Sequence, residues 1–491
     1  MELSKLVYEG EAIKIIGDRH IEITQITSDI LSYAAGTLLI ATKGNALLHN
    51  PDLLSNFSAI ICNAEIFEAL SERISCTLVC VVSPRRAWAL AEFRIRQIDC
   101  TNMKFVAVTG TNGKTTTAAI IKHILERNGN SVGFIGTGII SIGNEVLSGE
   151  YYSMTTPDPP QLYEAIKQMS ERKIEYVVME VSSHAIYYEK ISAIKFALSV
   201  FTNLSSEHLD FHRTMNEYAE TKLKLIKQSD TVLFNIDDPV FRRAYHSIDV
   251  DKRGFGILWD ANFRATDIQD LGFDGAKFIF RGHNFSFTTK SRLIGKFNIY
   301  NALSALSAAI TLGVIPCVAK RALADFPGVE GRIDSVYDND IRVVIDYAHT
   351  EAAFEALLSS IKEYSHGRLS VLFGCGGERY TGKRAKMASI AEKYASRIFV
   401  TSDNQRGESP NKIFSDIING FSNECDYRVI EDRGEAIRKA ILGAQYGETL
   451  LLVGKGRERY NITADGYHHF DEREAVKLAI EERVRRHESK T

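Results

Sequence analysis

The sequence predicts an α/β protein built from three domains. Its 491 residues are enough for about three domains at roughly 150 residues each. From Lys104 onward, short apolar strands alternate with amphipathic helices, a pattern typical of a parallel sheet covered by helices on both faces. A second series of the same kind begins near residue 330. We therefore expect a small N-terminal α/β domain, a central α/β domain with a parallel sheet, and a C-terminal α/β domain.

The predicted domain boundaries lie near residues 100 and 328. Residues 1–100 contain only brief apolar runs separated by polar breaks. The break Phe326-Pro327-Gly328 separates the two longer α/β series, because proline and glycine interrupt regular structure. The expected domains are residues 1–100, 101–328 and 329–491.

The elements of the two series follow from their patterns in order. The strand FVAVTG precedes the helix TTAAIIKHILERNG, which Gly129 ends. Two further strands of the central domain, at 176–181 and 197–204, end in polar loops. The C-terminal series also ends its strands in polar or glycine-rich loops, where open parallel sheets place their ligands. Its four predicted strands occupy residues 342–348, 369–376, 397–404 and 449–456.

Composition excludes several classes of protein. The 59 basic and 62 acidic residues give a net charge of −3, which excludes a strongly basic nucleic-acid binder. The seven cysteines show no zinc-ligand spacing. The N-terminus lacks the apolar stretch of a signal peptide, and no apolar run approaches the ~18 residues of a membrane span. We expect a cytoplasmic protein with neither a nucleic acid nor a membrane as partner.

The clearest motif is the glycine-rich loop GTNGKTT at residues 110–116, between a strand and a helix. Glycines allow the backbone N–H groups to face phosphate oxygens, and the helix N-terminus adds a favourable dipole. Lys114 is expected to reach the terminal phosphates and Thr115 to bind Mg²⁺. The strict Walker pattern has glycine where this chain has Val108. The motif therefore predicts a nucleotide phosphate loop of a variant kind.

Two polar stretches after later strands contain candidate metal ligands. Glu180 ends a predicted strand, and a carboxylate beside a phosphate loop suits Mg²⁺, which prefers oxygen ligands. The segment HLDFH at 208–212 places two histidines and an aspartate within five residues. Taken alone, each stretch has an alternative interpretation: a solvated glutamate at a strand end for Glu180, and a surface turn for residues 208–212. In both cases the metal-ligand interpretation is favoured over it.

Eight motifs occurring in order then reveal a resemblance. They are GTNGKTT, MEVSSHA, FTNLSSEHLDFHRTMNEYAETK, GKFNIYNALSA, VEGRID, DYAH, GCGGERYTGKR and DNQRGESP. Together they resemble the Mur ligase family, and within it the UDP-N-acetylmuramoyl-tripeptide synthetase branch. The resemblance runs from about residue 104 to 475. It implies a three-domain α/β fold with a small N-terminal domain, a central P-loop ATPase-type domain with a parallel sheet, and a C-terminal Rossmann-like domain.

The resemblance implies an ATP- and Mg²⁺-dependent amide ligase. Such an enzyme adds meso-diaminopimelate to UDP-N-acetylmuramoyl-L-alanyl-D-glutamate through an acyl phosphate, in peptidoglycan precursor synthesis. Its partners are small molecules (ATP, the muramoyl dipeptide and a diamino acid), and we expect a monomer. The implied catalytic residues are Lys114, Glu180, His208 and Lys222. The implied metal ligands are Thr115, Glu180, His208 and a carbamylated Lys222. The implied ATP contacts are Gly110, Thr111, Asn112, Gly113, Lys114, Thr115, Thr116, Asn298, Asn301, Arg332 and Asp346.

The same matching assigns the two other substrates. The acceptor contacts are Asp29, Thr155, Thr156, Ser182 and Lys190, where Lys190 replaces an arginine of the branch. The amino-acid contacts are Arg379, Asp403, Asn404, Arg406, Gly454 and Glu458. A guanidinium at Arg406 suits the distal carboxylate of diaminopimelate, which lysine lacks. The chain departs from the pattern at Gln405, usually proline, and at Arg457, usually histidine.

Three hypotheses remain open at this point. The N-terminal domain has Ile30 and Leu31 where the family has serine and arginine. The chain is therefore a diaminopimelate-adding ligase, a diverged ligase that uses lysine or another amine or another glutamate-ended acceptor, or a nucleotide-binding module without catalysis.

Overall fold

The computed structural model describes residues 1–42, 51–147, 154–205, 209–422 and 424–488. Their strands form three separate main sheets and a small two-stranded ribbon. Helices pack on these sheets, so the predicted α/β class is confirmed. We name the N-terminal, central and C-terminal domains after the three sheets. The boundaries at residues 100 and 328 stay a prediction.

The N-terminal domain contains a five-stranded sheet. Its strands are β1 (Ala12–Ile16), β2 (Gln25–Thr27), β3 (Thr37–Ile40), β4 (Ala59–Cys62) and β5 (Thr77–Val81). Its helices are α1 (Leu3–Leu6), α2 (Pro51–Leu54), α3 (Ala64–Leu70) and α4 (Pro84–Ile95). The order is β1-β5-β4-β3-β2, and all pairs are parallel except β1 with β5. The continuous apolar runs of β3, β4 and β5 are buried, as expected for parallel strands covered on both faces.

The central domain contains an eleven-stranded sheet. Its strands are β6 (Lys104–Thr109), β7 (Val132–Gly136), β8 (Ile139–Ile142), β9 (Glu145–Val146), β10 (Tyr176–Glu180), β11 (Phe196–Phe201), β12 (Ser229–Asn235), β13 (Asp251–Gly256), β14 (Phe263–Asp270), β15 (Ala276–Arg281) and β16 (Ser286–Ser291). Its helices are α5 (Lys114–Arg127), α6 (Pro159–Glu171), α7 (Ser183–Tyr187), α8 (Leu209–His212), α9 (Met215–Leu223), α10 (Pro239–Ser247), α11 (Lys296–Thr311) and α12 (Pro316–Asp325), with 3-10 turns at Lys224–Gln228 and Gly272–Asp274.

The order of this sheet is β16-β15-β14-β13-β12-β11-β6-β10-β7-β8-β9. The strands from β7 through to β14 in this order are parallel, as predicted. Both edges are antiparallel, which the sequence analysis did not predict. In β15 the buried Phe278 and Phe280 alternate with more exposed residues, the pattern of an antiparallel strand with one solvated face.

The C-terminal domain contains a six-stranded sheet and the two-stranded ribbon. Its strands are β17 (Asp334–Asp338), β18 (Arg342–Asp346), β19 (Leu369–Phe373), β20 (Arg397–Val400), β21 (Tyr427–Val429), β22 (Thr449–Val453), β23 (Tyr460–Thr463) and β24 (Gly466–His469). Its helices are α13 (Glu351–Tyr364), α14 (Lys383–Tyr394), α15 (Pro410–Ile418), α16 (Arg433–Leu442) and α17 (Glu472–Glu488). The order β17-β18-β22-β19-β20-β21 is parallel except for β17, as a Rossmann-like domain requires.

Two further features of the chain concern its cysteines and the character of its helices. All seven cysteines are free thiols, and Cys317 is exposed. Within the described ranges, none of the helices combines the length and the apolar character that a membrane crossing requires.

A buried ion pair fixes the last helix against the strand ends of the C-terminal sheet. Arg433 and Glu472 have at most 1% of their side chains exposed, and their charged atoms approach to 2.6 Å. The Arg433 guanidinium also donates to the carbonyls of Ser402 and Val453, just after β20 and at the end of β22. Removing one charge of such a pair leaves the other buried without compensation.

We predict that Glu472→Gln lowers the opening free energy of the C-terminal sheet by about 3–5 kcal/mol. Hydrogen exchange of the Thr449–Val453 amides measures this energy. The matched control is Glu355→Gln, whose partner Lys393 is 60% exposed and whose loss is expected to cost less than about 1 kcal/mol. Equal costs for the two variants would contradict the prediction.

Candidate functional site

The glycine-rich loop lies between β6 and α5, as the sequence predicts. Gly110 and Gly113 have φ of +146° and +82°. A Cβ at Gly110 would lie 2.0 Å from the Thr202 hydroxyl, and one at Gly113 would lie 2.2 Å from Oδ1 of Asn301. Both positions therefore require glycine. The loop reaches the N-terminus of α5, where free backbone N–H groups favour an anion.

The segment that follows β11 holds this loop in place through side-chain and backbone hydrogen bonds. The Thr202 hydroxyl donates to the carbonyl of Asn112 at 2.7 Å, and the Asn112 N–H donates to Oδ1 of Asn203 at 2.9 Å. The Thr111 hydroxyl accepts the N–H of Ser205 at 2.9 Å. The backbone of the loop is thus positioned before any ligand binds.

Two predicted catalytic lysines meet at one carbonyl of the loop. The Lys114 ammonium donates to the carbonyls of Gly110 and Thr111 at 3.1 and 2.8 Å. The Lys222 ammonium, whose residue is only 1% exposed, donates to the same Gly110 carbonyl at 3.0 Å. It also lies 4.7 Å from the centre of the Tyr218 ring. Two cations beside a phosphate loop provide the positive charge that phosphate oxygens require.

Glu180 is fully buried at the end of β10. Its carboxylate accepts the Thr115 hydroxyl at 2.8 Å, and the N–H and hydroxyl of Thr137 at 2.9 and 3.2 Å. Among the residues that the structure describes, no lysine or arginine nitrogen lies within 4.0 Å of it. A buried carboxylate in these surroundings needs a cation, and the oxygens of Thr115 and Glu180 suit Mg²⁺. These residues therefore fit the predicted metal.

The other two predicted metal ligands are Lys222, described above, and His208. His208 lies outside the described residues, so its role stays a prediction. Its neighbour His212 is buried, with Nε2 at 2.9 Å from the Ser183 hydroxyl. Within the described ranges, His, Cys, Asp and Glu side chains form no group of three that could hold a metal ion.

The remaining predicted ATP contacts bond within the protein. Asn298 donates to the carbonyl of Ile294 and accepts the side-chain amide of Asn301, both at 2.8 Å. The carboxylate of Asp346 accepts the N–H groups of Ile333 and Ala348, both at 2.7 Å. Burial raises the pKa of Asp346.

The last two predicted ATP contacts are Thr116 and Arg332. Thr116 is buried in the first turn of α5. The Arg332 guanidinium lies 4.5 Å from the centre of the Tyr347 ring.

Four of the predicted acceptor contacts surround the end of β10. The Thr155 and Thr137 hydroxyl oxygens lie 3.2 Å apart, and the Thr156 hydroxyl donates to the backbone carbonyl of Glu180 at 3.0 Å. Ser182 caps α7, and its N–H donates to the Thr156 hydroxyl at 3.3 Å. Lys190 pairs with Asp158 at 2.7 Å.

The fifth predicted acceptor contact, Asp29, bonds locally. Its carboxylate accepts the N–H of Leu31 and the Ser32 hydroxyl, at 3.1 and 2.8 Å. This is a turn of the N-terminal domain, and Asp29 itself is exposed.

The predicted amino-acid contacts form a pocket beyond β20 and β22. The amide of Asn404 donates to the Glu458 carboxylate at 2.7 Å, and its oxygen accepts the Lys455 ammonium at 3.0 Å. Gly454 has φ of +120°, and a Cβ there would lie 2.9 Å from Oδ2 of Asp403. A cation, two carboxylates and an amide thus face one another in buried surroundings.

Burial and the neighbouring charges shift the pKa values of the ionisable side chains in this pocket. Burial and the nearby Asp403 carboxylate raise the pKa of Glu458, against the opposing attraction of Lys455. Burial favours a higher pKa for Asp403 too, but the attraction of Lys455 and Arg433 outweighs it and lowers that pKa. Burial lowers the pKa of Lys455.

Arg406 stands on the rim of this pocket in a left-handed backbone conformation, with φ of +53°. Its guanidinium donates to the carbonyls of Gly377 and Asn404 at 3.0 Å. The other predicted arginine, Arg379, is exposed. Its Cγ lies 3.8 Å from where a Cβ at Gly376 would stand.

Comparison with known proteins assigns the family. Residues 108–309 match the Mur ligase middle domain, and residues 331–456 match the Mur ligase glutamate ligase domain. A Clostridium botulinum protein named UDP-N-acetylmuramoyl-L-alanyl-D-glutamate–2,6-diaminopimelate ligase is 33% identical, across 97% of this chain and 99% of that protein. The chain belongs to the Mur ligase family.

Further comparisons agree with this. A relative of the same name from Caldanaerobacter subterraneus is 36% identical, across 96% of this chain and 98% of its own length. A solved structure of a ligase with that name covers 99% of both chains, at 26% identity and a TM-score of 0.67. The predicted Mur ligase family and three-domain α/β fold are confirmed.

Sequence reasoning missed several residues that shape this Mur ligase site. Thr137 ties Glu180 to Thr155, and Lys455 lies at the centre of the C-terminal pocket. The signal for Lys455 was present, since a lysine between two glycines at a strand end is unusual for a surface residue. Thr137 carried no comparable signal, because its role depends on contacts between distant segments.

Arg384 was also missed. Its fully buried guanidinium binds the Glu408 carboxylate through two contacts of 2.8 Å and donates to the Gly376 carbonyl at 3.2 Å. It thereby joins the glycine-rich loop after β19 to the segment that carries Arg406. The hydrogen bonds from Arg384 lower the pKa of Glu408 to about 2.

This lowered pKa predicts a pH-dependent stability. Because Glu408 has an ordinary pKa of 4.5 when unfolded, its ionised form stabilises the fold above that pH, and this contribution is lost as the pH falls towards 2. We predict that Glu408→Gln has a lower Tm than the wild type at pH 7. The difference narrows as the pH falls below 4.5. Thermal unfolding of both proteins from pH 7 to 3 measures it, and a constant difference would contradict the role of the ion pair.

Proposed function

We propose that this Mur ligase joins the amino group of diaminopimelate to the terminal carboxylate of UDP-N-acetylmuramoyl-L-alanyl-D-glutamate, at the expense of ATP. Relatives with this name match nearly the whole chain, which supports the proposal. The reaction belongs to cytoplasmic peptidoglycan precursor synthesis. We further propose that the enzyme acts as a monomer with domains 1–100, 101–328 and 329–491.

One observation carries this proposal: the phosphate loop and the amino-acid pocket meet at one junction. Thr115 of the loop contacts Glu180, and Glu180 contacts Thr137. Arg457 of the C-terminal domain donates to the Thr137 carbonyl, and its neighbour Glu458 belongs to the amino-acid pocket. An enzyme that activates an acid with ATP and then couples it to an amine needs these two sites side by side.

The proposed reaction has two steps. The acceptor carboxylate attacks the γ-phosphorus of ATP, the bond from that phosphorus to the β-phosphate oxygen breaks, and ADP leaves. The amine of diaminopimelate then attacks the acyl carbon, and the amide forms as inorganic phosphate and a proton are released. The ammonium group of Lys114 orients and neutralises phosphate oxygens at the loop.

Magnesium, when bound by Thr115 and Glu180 together with His208 and a carbamylated Lys222, supplies further positive charge for the phosphate oxygens. Carbamylation of Lys222 is part of the proposal. Its support is the burial of this lysine beside the loop, where an anionic carbamate would face the cation.

The amino acid is proposed to be diaminopimelate rather than lysine. Arg406 provides a guanidinium on the pocket rim, and its present partners are neutral carbonyls. A carboxylate is a stronger partner for that guanidinium. Glu458, with Asp403 nearby, offers negative charge to an ammonium group.

A second acceptor is favoured by one observation in the N-terminal domain. Leu31 is 72% exposed beside Asp29, where the resemblance implies an arginine. A leucine there cannot pair with a phosphate. A diverged ligase that uses another glutamate-ended acceptor is therefore the second candidate.

The proposal is tested by measuring phosphate release from ATP with purified enzyme and UDP-N-acetylmuramoyl-L-alanyl-D-glutamate. We expect release with meso-diaminopimelate and little with lysine, together with one tripeptide product per phosphate. Replacing the acceptor with the free L-Ala-D-Glu dipeptide tests whether the nucleotide part is recognised. No release with either amino acid would overturn the proposal, and release with the free dipeptide alone would favour the second candidate.

We predict that Arg406→Ala raises the KM for diaminopimelate by about tenfold to a hundredfold, because a charge-assisted hydrogen bond is worth roughly 1.5–3 kcal/mol. The KM for ATP is expected to stay within about twofold of the wild-type value, because Arg406 lies in the other site. Arg428→Ala, which changes an exposed arginine of β21, is the matched control. An unchanged KM for diaminopimelate would remove the basis for choosing this amino acid.

A further inference from the structure

Arg457 reaches from the C-terminal domain into the central one. It lies in the glycine-rich loop after β22, next to Gly456 with φ of +58°. A Cβ at Gly331 would lie 2.4 Å from the Arg457 backbone nitrogen, so two close-packed segments fix the base of this side chain. Its guanidinium donates through Nη2 to the carbonyl of Thr137. The resemblance implies histidine at this position.

The guanidinium therefore lies beside the groups that bind the reacting atoms. The N–H and hydroxyl of Thr137 donate to Glu180, and the Thr137 and Thr155 hydroxyl oxygens lie 3.2 Å apart. Glu180 in turn accepts the Thr115 hydroxyl of the phosphate loop. A cavity of about 260 Å³ runs along α5 and the β7–β8 hairpin, and Thr115 and Arg457 both belong to its lining.

The partly buried Arg457 differs in its partners from the fully buried Arg384 and Arg433. Arg384 and Arg433 have carboxylates at 2.8 and 2.6 Å. Among the described part of the chain, no carboxylate oxygen lies within 4.0 Å of Arg457, and its hydrogen bond goes to a neutral carbonyl. Burial lowers the pKa of Arg457, while the more distant Glu180 opposes this effect. A partly buried guanidinium that has no carboxylate within reach is a strong donor for an anionic ligand.

We propose that Arg457 is a further catalytic residue, whose guanidinium binds the γ-phosphoryl group of ATP while it passes to the acceptor carboxylate. In that step the carboxylate oxygen bonds to phosphorus, the bond to the β-phosphate oxygen breaks, and that oxygen leaves with the electron pair as ADP. The equatorial oxygens carry the negative charge that a planar, two-pronged donor matches. This inference rests on the proposed function, because it names a residue for the same reaction.

The position of Arg457 makes the proposed phosphoryl contact depend on the contact between the central and C-terminal domains. The phosphate loop belongs to the central domain and Arg457 to the C-terminal domain, so the cation is in place only when the two domains are in contact. The amino-acid pocket includes the neighbouring Glu458. The contact between the two domains therefore places both the Arg457 guanidinium and the amino-acid pocket beside the phosphate loop.

The test compares Arg457→Ala and Arg457→Lys with the wild type. We expect Arg457→Ala to lower kcat by about 10²–10⁴-fold, in the lower range of arginine residues that stabilise phosphoryl transfer. The KM for diaminopimelate is expected to change by less than about threefold. Arg457→Lys is expected to recover only part of kcat, because an ammonium lacks the planar pair of donors. Added guanidinium ion is expected to restore activity to Arg457→Ala and not to Arg457→Lys.

The matched control is Arg459→Ala, two residues along, where the side chain is 64% exposed and pairs with Glu330 and Asp471. Its kcat is expected to match the wild type. A kcat of Arg457→Ala within about threefold of the wild type would overturn the inference. A loss confined to the KM for diaminopimelate would overturn it too, since Arg457 would then serve the amino acid. If the wild type itself releases no phosphate with acceptor and diaminopimelate, the proposed function fails, and the inference with it.

Discussion

The buried carboxylate of Glu180 is the constraint on which the rest of the site depends. A charge without a cationic partner in an apolar sheet is costly, and hydrogen bonds from Thr115 and Thr137 offset only part of that cost. The fold keeps this charge because β6, β10 and β11 are parallel neighbours whose carboxyl ends meet at one edge. The phosphate loop, the Glu180 carboxylate and the polar loop after β11 therefore lie together at that edge of the sheet.

The C-terminal half of the site also contains buried charges, but it compensates them in a different way. In the C-terminal domain, buried charges are compensated inside the protein: Lys455 lies among Asp403, Asn404 and Glu458, while Arg433 pairs with Glu472. In the central domain, by contrast, no lysine or arginine nitrogen of the described residues lies within 4.0 Å of the Glu180 carboxylate, which accepts hydrogen bonds from Thr115 and Thr137 alone. The C-terminal half thus holds its buried charges in internal pairs, whereas Glu180 is arranged for a ligand that brings positive charge.

Sequence reasoning predicted several of the parallel strands and the glycine-rich loop between β6 and α5, because each is a local pattern: an apolar run, or glycines at fixed spacing. The amino-acid contacts of the C-terminal domain came only from the resemblance and stay a prediction. Sequence reasoning did not predict the antiparallel edges of the central sheet, since β14 to β16 follow one another without helices between them. It also missed Thr137, Arg384 and the contact made by Arg457. Their roles depend on partners 43, 24 and 320 residues away, and no local pattern encodes such distances.

The most direct test of this account measures how Mg²⁺ affects binding of a non-hydrolysable ATP analogue to the wild type and to Glu180→Gln. Calorimetric titrations with and without Mg²⁺ give the two affinities for each protein. Glutamine keeps the shape and the hydrogen-bonding oxygen but removes the charge. The account predicts that Mg²⁺ tightens binding to the wild type and that Glu180→Gln loses most of this effect. Equal Mg²⁺ dependence in both proteins would contradict it.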